Sequence, residues 1–175
     1  MHLYFLRHGP AGDPETWQGN DDDRPLTPDG RELMASVAEG LHALELGVDA
    51  LISSPLRRAN ETATIVAAAL HLTPMQASEL AKGCMLRQLA DVLSRLPDKQ
   101  TESVIVTGHE PDLSRMVARC IGEGEANIHL KKGGCCRVDI PGPVSSAHDL
   151  DGKGRLEWLM TPALLTAIGG KPKNK

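Results

Sequence analysis

A histidine and an arginine stand together where the first apolar run of the chain ends. Arg7 and His8 directly follow residues 3–6, whose types are typical of a buried strand. In open α/β sheets, ligands bind in the crevice beyond the carboxyl ends of the strands, where these two side chains are expected to emerge. An imidazole can attack phosphorus there, and a guanidinium can hold phosphate oxygens through two parallel hydrogen bonds. By themselves, Arg7 and His8 could equally be polar residues at the start of a loop. Whether they form part of a site depends on the rest of the chain.

A second junction between a predicted strand and a predicted helix carries two arginines. Arg57 and Arg58 lie in the expected first turn of a helix that follows the short strand Ala50–Ser53. Positive charges at that end of a helix oppose its dipole, at a cost of about 0.3–1 kcal/mol each. The cost indicates a nearby anion, although solvation of the arginines would explain it equally well.

A third junction places a second histidine at the end of a strand. His109 and Glu110 follow the apolar run 103–107, and Pro111 is expected to start the next helix. The free N–H groups at a helix start form a natural anion site. All three junctions therefore offer groups that bind or attack a phosphoryl group.

Two histidines and two arginines at neighbouring strand ends would form a cationic pocket around a tetrahedral phosphoryl group. Phosphoryl transfer depends mainly on positioning and on neutralising the oxygens, so such a pocket can suffice without a metal. A zinc site would instead combine two or three histidines with a carboxylate and few arginines. We therefore predict a phosphate site that uses neither a metal nor another cofactor.

The elements that position these junctions alternate along the first two-thirds of the chain. Thr27 and Pro28 have the types of a helix N-cap and a first helical residue, and Ser54 and Pro55 repeat that signal. Helical spacing of apolar residues predicts four helices, over about 28–44, 55–70, 86–96 and 111–121. The spacing of apolar residues or the residue composition predicts strands over 2–6, 50–53, 103–107 and 155–160.

The last third departs from this alternation. Residues 127–130 and 135–140 are typical of two strands joined by a tight glycine turn at 131–134. The whole pattern predicts an α/β fold, with a mostly parallel sheet flanked by helices and an antiparallel edge added late. Residues 1–168 are expected to form a single domain, and residues 169–175 a disordered basic tail.

Bulk properties narrow the possible partners. The chain of 175 residues is 41% hydrophobic and 24% charged, with a net charge of −4, so nothing favours nucleic acid or an anionic membrane as partner. No window approaches the roughly 20 apolar residues of a membrane span. The cysteines show no metal-binding spacing and are expected to be reduced, which fits a cytoplasmic protein: Cys84, Cys120, Cys135 and Cys136.

Five segments taken together resemble the histidine phosphatase superfamily, and within it the SixA-like phosphohistidine phosphatases. The resemblance covers about residues 1–165. The matching segments are LYFLRHGPA, DDDRPLTPDGR, LISSPLRRANETA, VIVTGHEPDLS and KKGG. It implies a three-layer α/β/α sandwich of the phosphoglycerate mutase-like fold.

The resemblance also implies roles for individual residues. His8 would be the nucleophile that becomes phosphorylated, and Arg7 and Arg58 would bind phosphate. His109 would be the second histidine of the pocket, protonated so that it stabilises the phosphoryl oxygens. Arg58 rather than Arg57 matches the family position, because it directly precedes an alanine in the Ser-x-x-x-Arg-Ala pattern; Arg57 is interpreted as a surface residue.

One departure from the family pattern bears on the substrate. Many superfamily members carry an acidic residue after the second helix that protonates a poor alcohol leaving group. Here Glu79 is the only acidic residue of 79–84, and it matches that position poorly. Glu110 or water are the other candidate proton donors, and Glu110 is also a candidate for substrate binding. A weak general acid favours cleavage of N–P bonds, since imidazole leaves more readily than alkoxide.

The leading hypothesis is a metal-independent phosphatase that forms a phosphohistidine intermediate and hydrolyses protein phosphohistidine. The short loops after Ser54 and His109 leave the site open to a phosphohistidine on a partner protein. A small-molecule phosphomonoesterase or phosphomutase, acting on a small phosphorylated substrate, is the alternative within the family. A non-catalytic phosphate-binding module is the alternative from another class. The protein is expected to be a monomer, and the acidic segment 10–25 is interpreted as a solvated loop rather than a partner-recognition edge.

Overall fold

The fold is built on one six-stranded mixed sheet. A computed structural model describes residues 1–98 and 100–170. Along the sheet the strand order is β3-β2-β4-β1-β5-β6. The strands are β1 (His2–Arg7), β2 (Ala50–Ser53), β3 (Met75–Gln76), β4 (Ser103–Gly108), β5 (Cys135–Asp139) and β6 (Arg155–Met160). The α-helices are α1 (Pro28–Ala43), α2 (Arg57–Leu70), α3 (Leu86–Ser94), α4 (Asp112–Ile121) and α5 (Pro162–Gly169).

Strand direction follows the sequence pattern. β1, β2, β3 and β4 are parallel, and β5 and β6 are antiparallel to their neighbours. The prediction of a mostly parallel sheet with an antiparallel edge is therefore confirmed. Arg7 pairs in register with Gly108, and Ser53 with Thr107. The three predicted strand-to-helix junctions therefore lie side by side at the carboxyl ends of the parallel strands.

Helices cover both faces of the sheet and make three layers. Alternate residues of a strand point to opposite faces. Leu3 and Phe5 lie in an apolar cluster with residues of α3 and α4, whereas Tyr4 and Leu6 lie in a second cluster with residues of α1, α2 and α5. Because both faces of β1 and β4 are packed, these strands are almost fully buried. The predicted three-layer α/β/α architecture is confirmed.

Two helix starts can be compared with the N-cap residues predicted from the sequence. Thr27 caps α1, because its Oγ accepts a hydrogen bond from Gly30 N–H, as predicted. The equivalent prediction for Ser54 and Pro55 is wrong: α2 begins at Arg57, and Leu56 precedes it without a side-chain cap. The Ser54 hydroxyl has another partner, which is described with the site below.

The predicted strand at 127–130 is also wrong. Those residues are irregular, and the chain then passes across the end of β1. There, Gly133 N–H contacts the carbonyls of Arg7 and His8, and Gly134 O accepts from Arg7 N–H. Gly133 has a φ of +76°, which an L side chain rarely adopts. The glycines thus close a loop over the site rather than a hairpin.

At the carboxyl end, helix α5 extends through Gly169, so the predicted tail cannot begin there. Its start repeats the Thr-Pro signal of α1: Thr161 Oγ accepts from Leu164 N–H. Residues 171–175, the remainder of the predicted tail, lie outside the described residues. No helix in the described part of the chain is long and apolar enough to cross a membrane.

Candidate active site

His8 lies in the first position after β1, where its ring is fixed by a backbone contact. The side chain is only 6% exposed, and its Nδ1 lies 2.7 Å from the Gly9 carbonyl oxygen. A carbonyl can only accept, so Nδ1 carries the proton and Nε2 keeps its lone pair. Gly9 N–H in turn donates to Thr62 Oγ at 3.0 Å, which ties this loop to α2. The geometry leaves the lone pair of Nε2 free of this contact.

His109 faces His8 from the end of the neighbouring strand β4. The two ring centroids are 5.2 Å apart, with the rings tilted by 52°. His109 is 3% exposed, and its Nε2 lies 2.8 Å from Ser54 Oγ. Its Nδ1 is buried without a hydrogen-bond partner among the described residues. Ser54 thus supports the second histidine instead of capping α2.

Two arginines border the histidines. Arg58 is 2% exposed, and its Nη1 and Nη2 donate to the backbone oxygen and to Oδ2 of Asp21, at 2.7 and 3.1 Å. Arg7 donates from Nη1 to the carbonyl of Leu130 at 2.7 Å. The Nε–H groups of both arginines are buried and, within the described residues, have no partner. Buried donors of this kind are costly unless an acceptor reaches them, and an oxyanion is a suitable acceptor.

Burial and neighbouring charge keep both imidazoles neutral at pH 7. Burial, assisted by the charges of Arg58 and Arg7, lowers the pKa of His8 to about 3. Burial is also the main cause that lowers the pKa of His109 to about 3, followed by His8 and Arg58. The expected protonation of His109 concerns the site with a phosphoryl group in place, and it stays a prediction. A bound phosphate dianion would raise both pKa values.

The two candidate proton donors lie in different surroundings. Glu79 contacts Arg95, and the hydrogen bond from Arg95 is the main cause that lowers the pKa of the Glu79 carboxyl. A carboxyl with a lowered pKa is ionised at pH 7 and carries no proton to donate, so the structure argues against Glu79. Glu110 is half-buried, and one of its oxygens has no partner among the described residues. Burial lowers the pKa of Arg7, and the charge of Glu110 opposes that shift. Glu110 therefore interacts electrostatically with Arg7, the arginine expected to bind phosphate.

The segment between Pro10 and Pro25 is more than the solvated acidic loop that was predicted. Asp21 reaches Arg58 and also bonds to Arg24, whose Nε lies 2.7 Å from Asp21 Oδ1. Lys82 contacts Asp21 Oδ2 as well. These contacts hold the pKa of the Asp21 carboxyl well below its usual range, chiefly through Lys82 and then Arg24. Asp21 and Lys82 are thus site residues that the sequence analysis missed.

Other sequence assignments can be placed in the same way. Arg57 is exposed and donates to Glu61 at 2.9 Å, one turn along α2, and therefore lies on the surface. Lys132 is exposed, yet its charge contributes to the lowered pKa of His8. Within 1–98 and 100–170, no group of three or more histidine, cysteine, aspartate or glutamate side chains is arranged to hold a metal ion.

Comparison of the chain with known proteins identifies its family. A model of the histidine phosphatase superfamily (branch 1) matches residues 3–85. An uncharacterised protein of Picosynechococcus is 37% identical over 136 residues, which are 77% of this chain and 82% of that protein. The phosphohistidine phosphatase SixA of Escherichia coli is 27% identical over 171 residues, or 94% and 96% of the two chains. The chain belongs to the histidine phosphatase superfamily.

Solved structures of other proteins share this fold. A structure of the protein histidine phosphatase SixA complexed with tungstate matches with a TM-score of 0.77 at 24% identity, covering 94% of this chain and 99% of the other. The α-ribazole phosphatase of Shigella flexneri matches with a TM-score of 0.63 at 18% identity, covering 84% and 97%. Within its superfamily this protein is SixA-like by structure, and its fold is shared with phosphatases whose names carry small-molecule substrates.

Proposed function

We propose that this protein is a metal-independent phosphatase that acts on protein phosphohistidine through a phosphorylated His8. The observation that carries the proposal is the state of His8. Its Nδ1 proton is held by the Gly9 carbonyl, and its pKa is lowered to about 3, so Nε2 offers a lone pair at pH 7. The ring of His109 lies 5.2 Å from the ring of His8, and the charges of Arg58 and Arg7 act on His8. Pure phosphate binding requires no such nucleophile.

The reaction proceeds in two displacements at phosphorus. In the first, His8 Nε2 forms a bond to phosphorus while the P–N bond of the substrate breaks, and the leaving imidazole takes a proton from water. In the second, a water oxygen forms a bond to phosphorus and the P–Nε2 bond breaks, while one proton of that water passes to the hydroxide left by the first step. This releases monohydrogen phosphate and restores neutral His8. Arg7 and Arg58 neutralise the phosphoryl oxygens in both steps, and His109 donates a hydrogen bond to them once the bound dianion has raised its pKa.

The position of the carboxylates supports phosphohistidine as the substrate. Glu79 is paired with Arg95, and the Asp21 carboxyl is held ionised by three cations, so neither is suited to protonate an alkoxide. A protonated or hydrogen-bonded imidazole leaves without a strong acid. The connections from β2 to α2 and from β4 to α4 are three residues each, and loops this short favour access by a side chain on a folded partner protein.

A substrate panel in the presence of a metal chelator tests the proposal. A phosphohistidine peptide, a phosphorylated imidazole, a sugar phosphate and α-ribazole phosphate would be compared by kcat/KM. We expect the two P–N substrates to be hydrolysed fastest, and His8→Ala to reduce hydrolysis to the uncatalysed rate while the protein stays folded. His148→Ala, at an exposed histidine, is the matched control. Preference for either ester would identify a small-molecule phosphatase, and full activity of His8→Ala would refute the mechanism.

A further inference from the structure

One oxygen atom of Asp21 is shared by two cations at the edge of the site. Its Oδ2 lies 3.1 Å from Arg58 Nη2 and is also bonded by Lys82 Nζ. The other carboxylate oxygen belongs to Arg24. Arg58 and Lys82 are therefore already arranged to hold a single anionic oxygen between them, although they lie on different elements of the fold.

Lys82 also acts on the interior of the site. It follows the short turn Ser78–Leu80 after β3, and its side chain is 49% exposed. Its charge nevertheless contributes to the lowered pKa of His109. Lys82 Nζ and Arg58 Nη2 contact the same oxygen of Asp21, which places the ammonium group beside an arginine of the proposed phosphate site.

We propose that Lys82 is a further phosphate-binding residue, and that Asp21 is an internal counter-ion which holds Arg58 and Lys82 together until a substrate phosphoryl oxygen replaces its Oδ2. The proposal rests on the proposed function, since it concerns the same phosphate site. Arg58 stays oriented during the exchange, because its Nη1 is bonded to the backbone oxygen of Asp21. That bond does not depend on the carboxylate.

The exchange has a consequence for the class of substrate. A phosphoryl group can take the two cations only if it attracts them more strongly than the Asp21 carboxylate does. A terminal phosphoryl dianion carries twice the charge of a carboxylate, whereas a phosphodiester or a sulfate ester carries the same charge. The arrangement therefore favours terminal dianionic phosphoryl groups, such as phosphohistidine, and discriminates against diesters.

Binding of inorganic phosphate, measured by titration calorimetry, tests the proposal without requiring turnover. Lys82→Met keeps the side-chain length and removes the charge, and we expect it to weaken phosphate binding by about fivefold, as is typical for a half-exposed ion pair. Arg95→Met is the matched control, because Arg95 is exposed and pairs with Glu79, which lies in the turn Ser78–Leu80 that precedes Lys82. It should change phosphate affinity less than twofold.

The double variant separates a direct role of Lys82 from one exerted through Asp21. Asp21→Asn should bind phosphate several-fold more tightly, because the competing negative charge is gone. Lys82→Met should still weaken binding in the Asp21→Asn background, since Lys82 then acts on phosphate directly. The proposal is overturned if the effect of Lys82→Met vanishes in that background, if Lys82→Met binds phosphate normally, or if Asp21→Asn binds it more weakly. Circular dichroism establishes that each variant is folded.

The same measurements distinguish this proposal from the proposed function. A protein that binds phosphate as described but hydrolyses none of the panel substrates would retain the role of Lys82 and lose the catalytic assignment. A protein that hydrolyses phosphohistidine while Lys82→Met leaves phosphate binding and KM unchanged would retain the catalytic assignment and lose the role of Lys82.

Discussion

Acidification is expected to destabilise this fold because two buried histidines resist protonation. His8 and His109 have pKa values of about 3 in the folded protein, against about 6.5 for histidine in an unfolded chain. Between those values the unfolded chain binds two protons that the folded protein excludes. The free energy of unfolding therefore falls as the pH is lowered through 6.5, and it continues to fall until the folded pKa is reached.

The size of the effect follows from the proton count. Each excluded proton lowers the free energy of unfolding by about 1.4 kcal/mol per pH unit, so two histidines lower it by up to about 2.7 kcal/mol per unit. Between pH 6 and pH 5 that loss is a large part of the roughly 5–15 kcal/mol that stabilises a typical domain. Carboxylates with lowered pKa, such as Asp21 and Asp139, lose their contribution only below about pH 4, outside this window.

Urea unfolding followed by circular dichroism measures this slope, in phosphate-free buffers at pH 7, 6 and 5. We expect His8→Gln and His109→Gln each to remove about half of the slope, and His148→Gln, at an exposed position, to leave it unchanged. Saturating phosphate should flatten the slope as well, since a bound dianion favours the protonated imidazoles. Equal stability at pH 7 and pH 5, or an undiminished slope in the two site variants, would refute the electrostatic description of the site.

Three further predictions concern the supports of the site. Ser54→Ala removes the hydroxyl that contacts His109 Nε2, and should cost about 1–3 kcal/mol in urea unfolding and lower kcat/KM; normal values would show that the contact is dispensable. Gly30→Ala places a Cβ 2.1 Å from the Pro10 carbonyl and should lower both the melting temperature and the activity, whereas Gly12→Ala, with nothing within 4 Å, should change neither. Inorganic phosphate at 100 times its Kd should stabilise the protein by about 2.7 kcal/mol in thermal unfolding, and Arg58→Ala should abolish that shift.

The sequence was sufficient for the parts of the site that depend on strand ends. Apolar runs of four to six residues identify β1, β2 and β4, and polar residues that follow parallel strands must meet at one edge of the sheet. Arg7, His8 and His109 could be placed together for that reason. The first turn of α2 offered both Arg57 and Arg58, and only the resemblance to the family pattern favoured Arg58.

What the sequence could not predict are pairings chosen by tertiary packing. Asp21 and Lys82 are 61 residues apart, and no local pattern connects an acidic loop to a lysine beyond β3. Ser54 has the residue type of a helix N-cap, but its hydroxyl contacts the imidazole of His109 instead. A buried polar group that lacks a partner costs more than an uncapped helix start, so the contact with His109 is favoured.

The double glycine at 133–134 illustrates the same limit. It suggested a hairpin, because a tight turn between apolar segments favours two paired strands. Its backbone instead contacts the carbonyls of Arg7 and His8 and crosses the end of β1. Local composition identified the turn correctly, and the packing around the site decided which partner its N–H groups would find.

Isolation of the phosphorylated protein tests the central claim most directly. After a brief reaction with a phosphorylated imidazole carrying a labelled phosphoryl group, the protein would be quenched in base, which preserves phosphohistidine. Mass spectrometry would locate the label, and phosphorus NMR would identify the ring nitrogen that carries it. We expect one phosphoryl group on Nε2 of His8, lost on brief acid treatment. A label on another residue, a label on Nδ1 of His8, or hydrolysis that continues in His8→Ala would contradict the account.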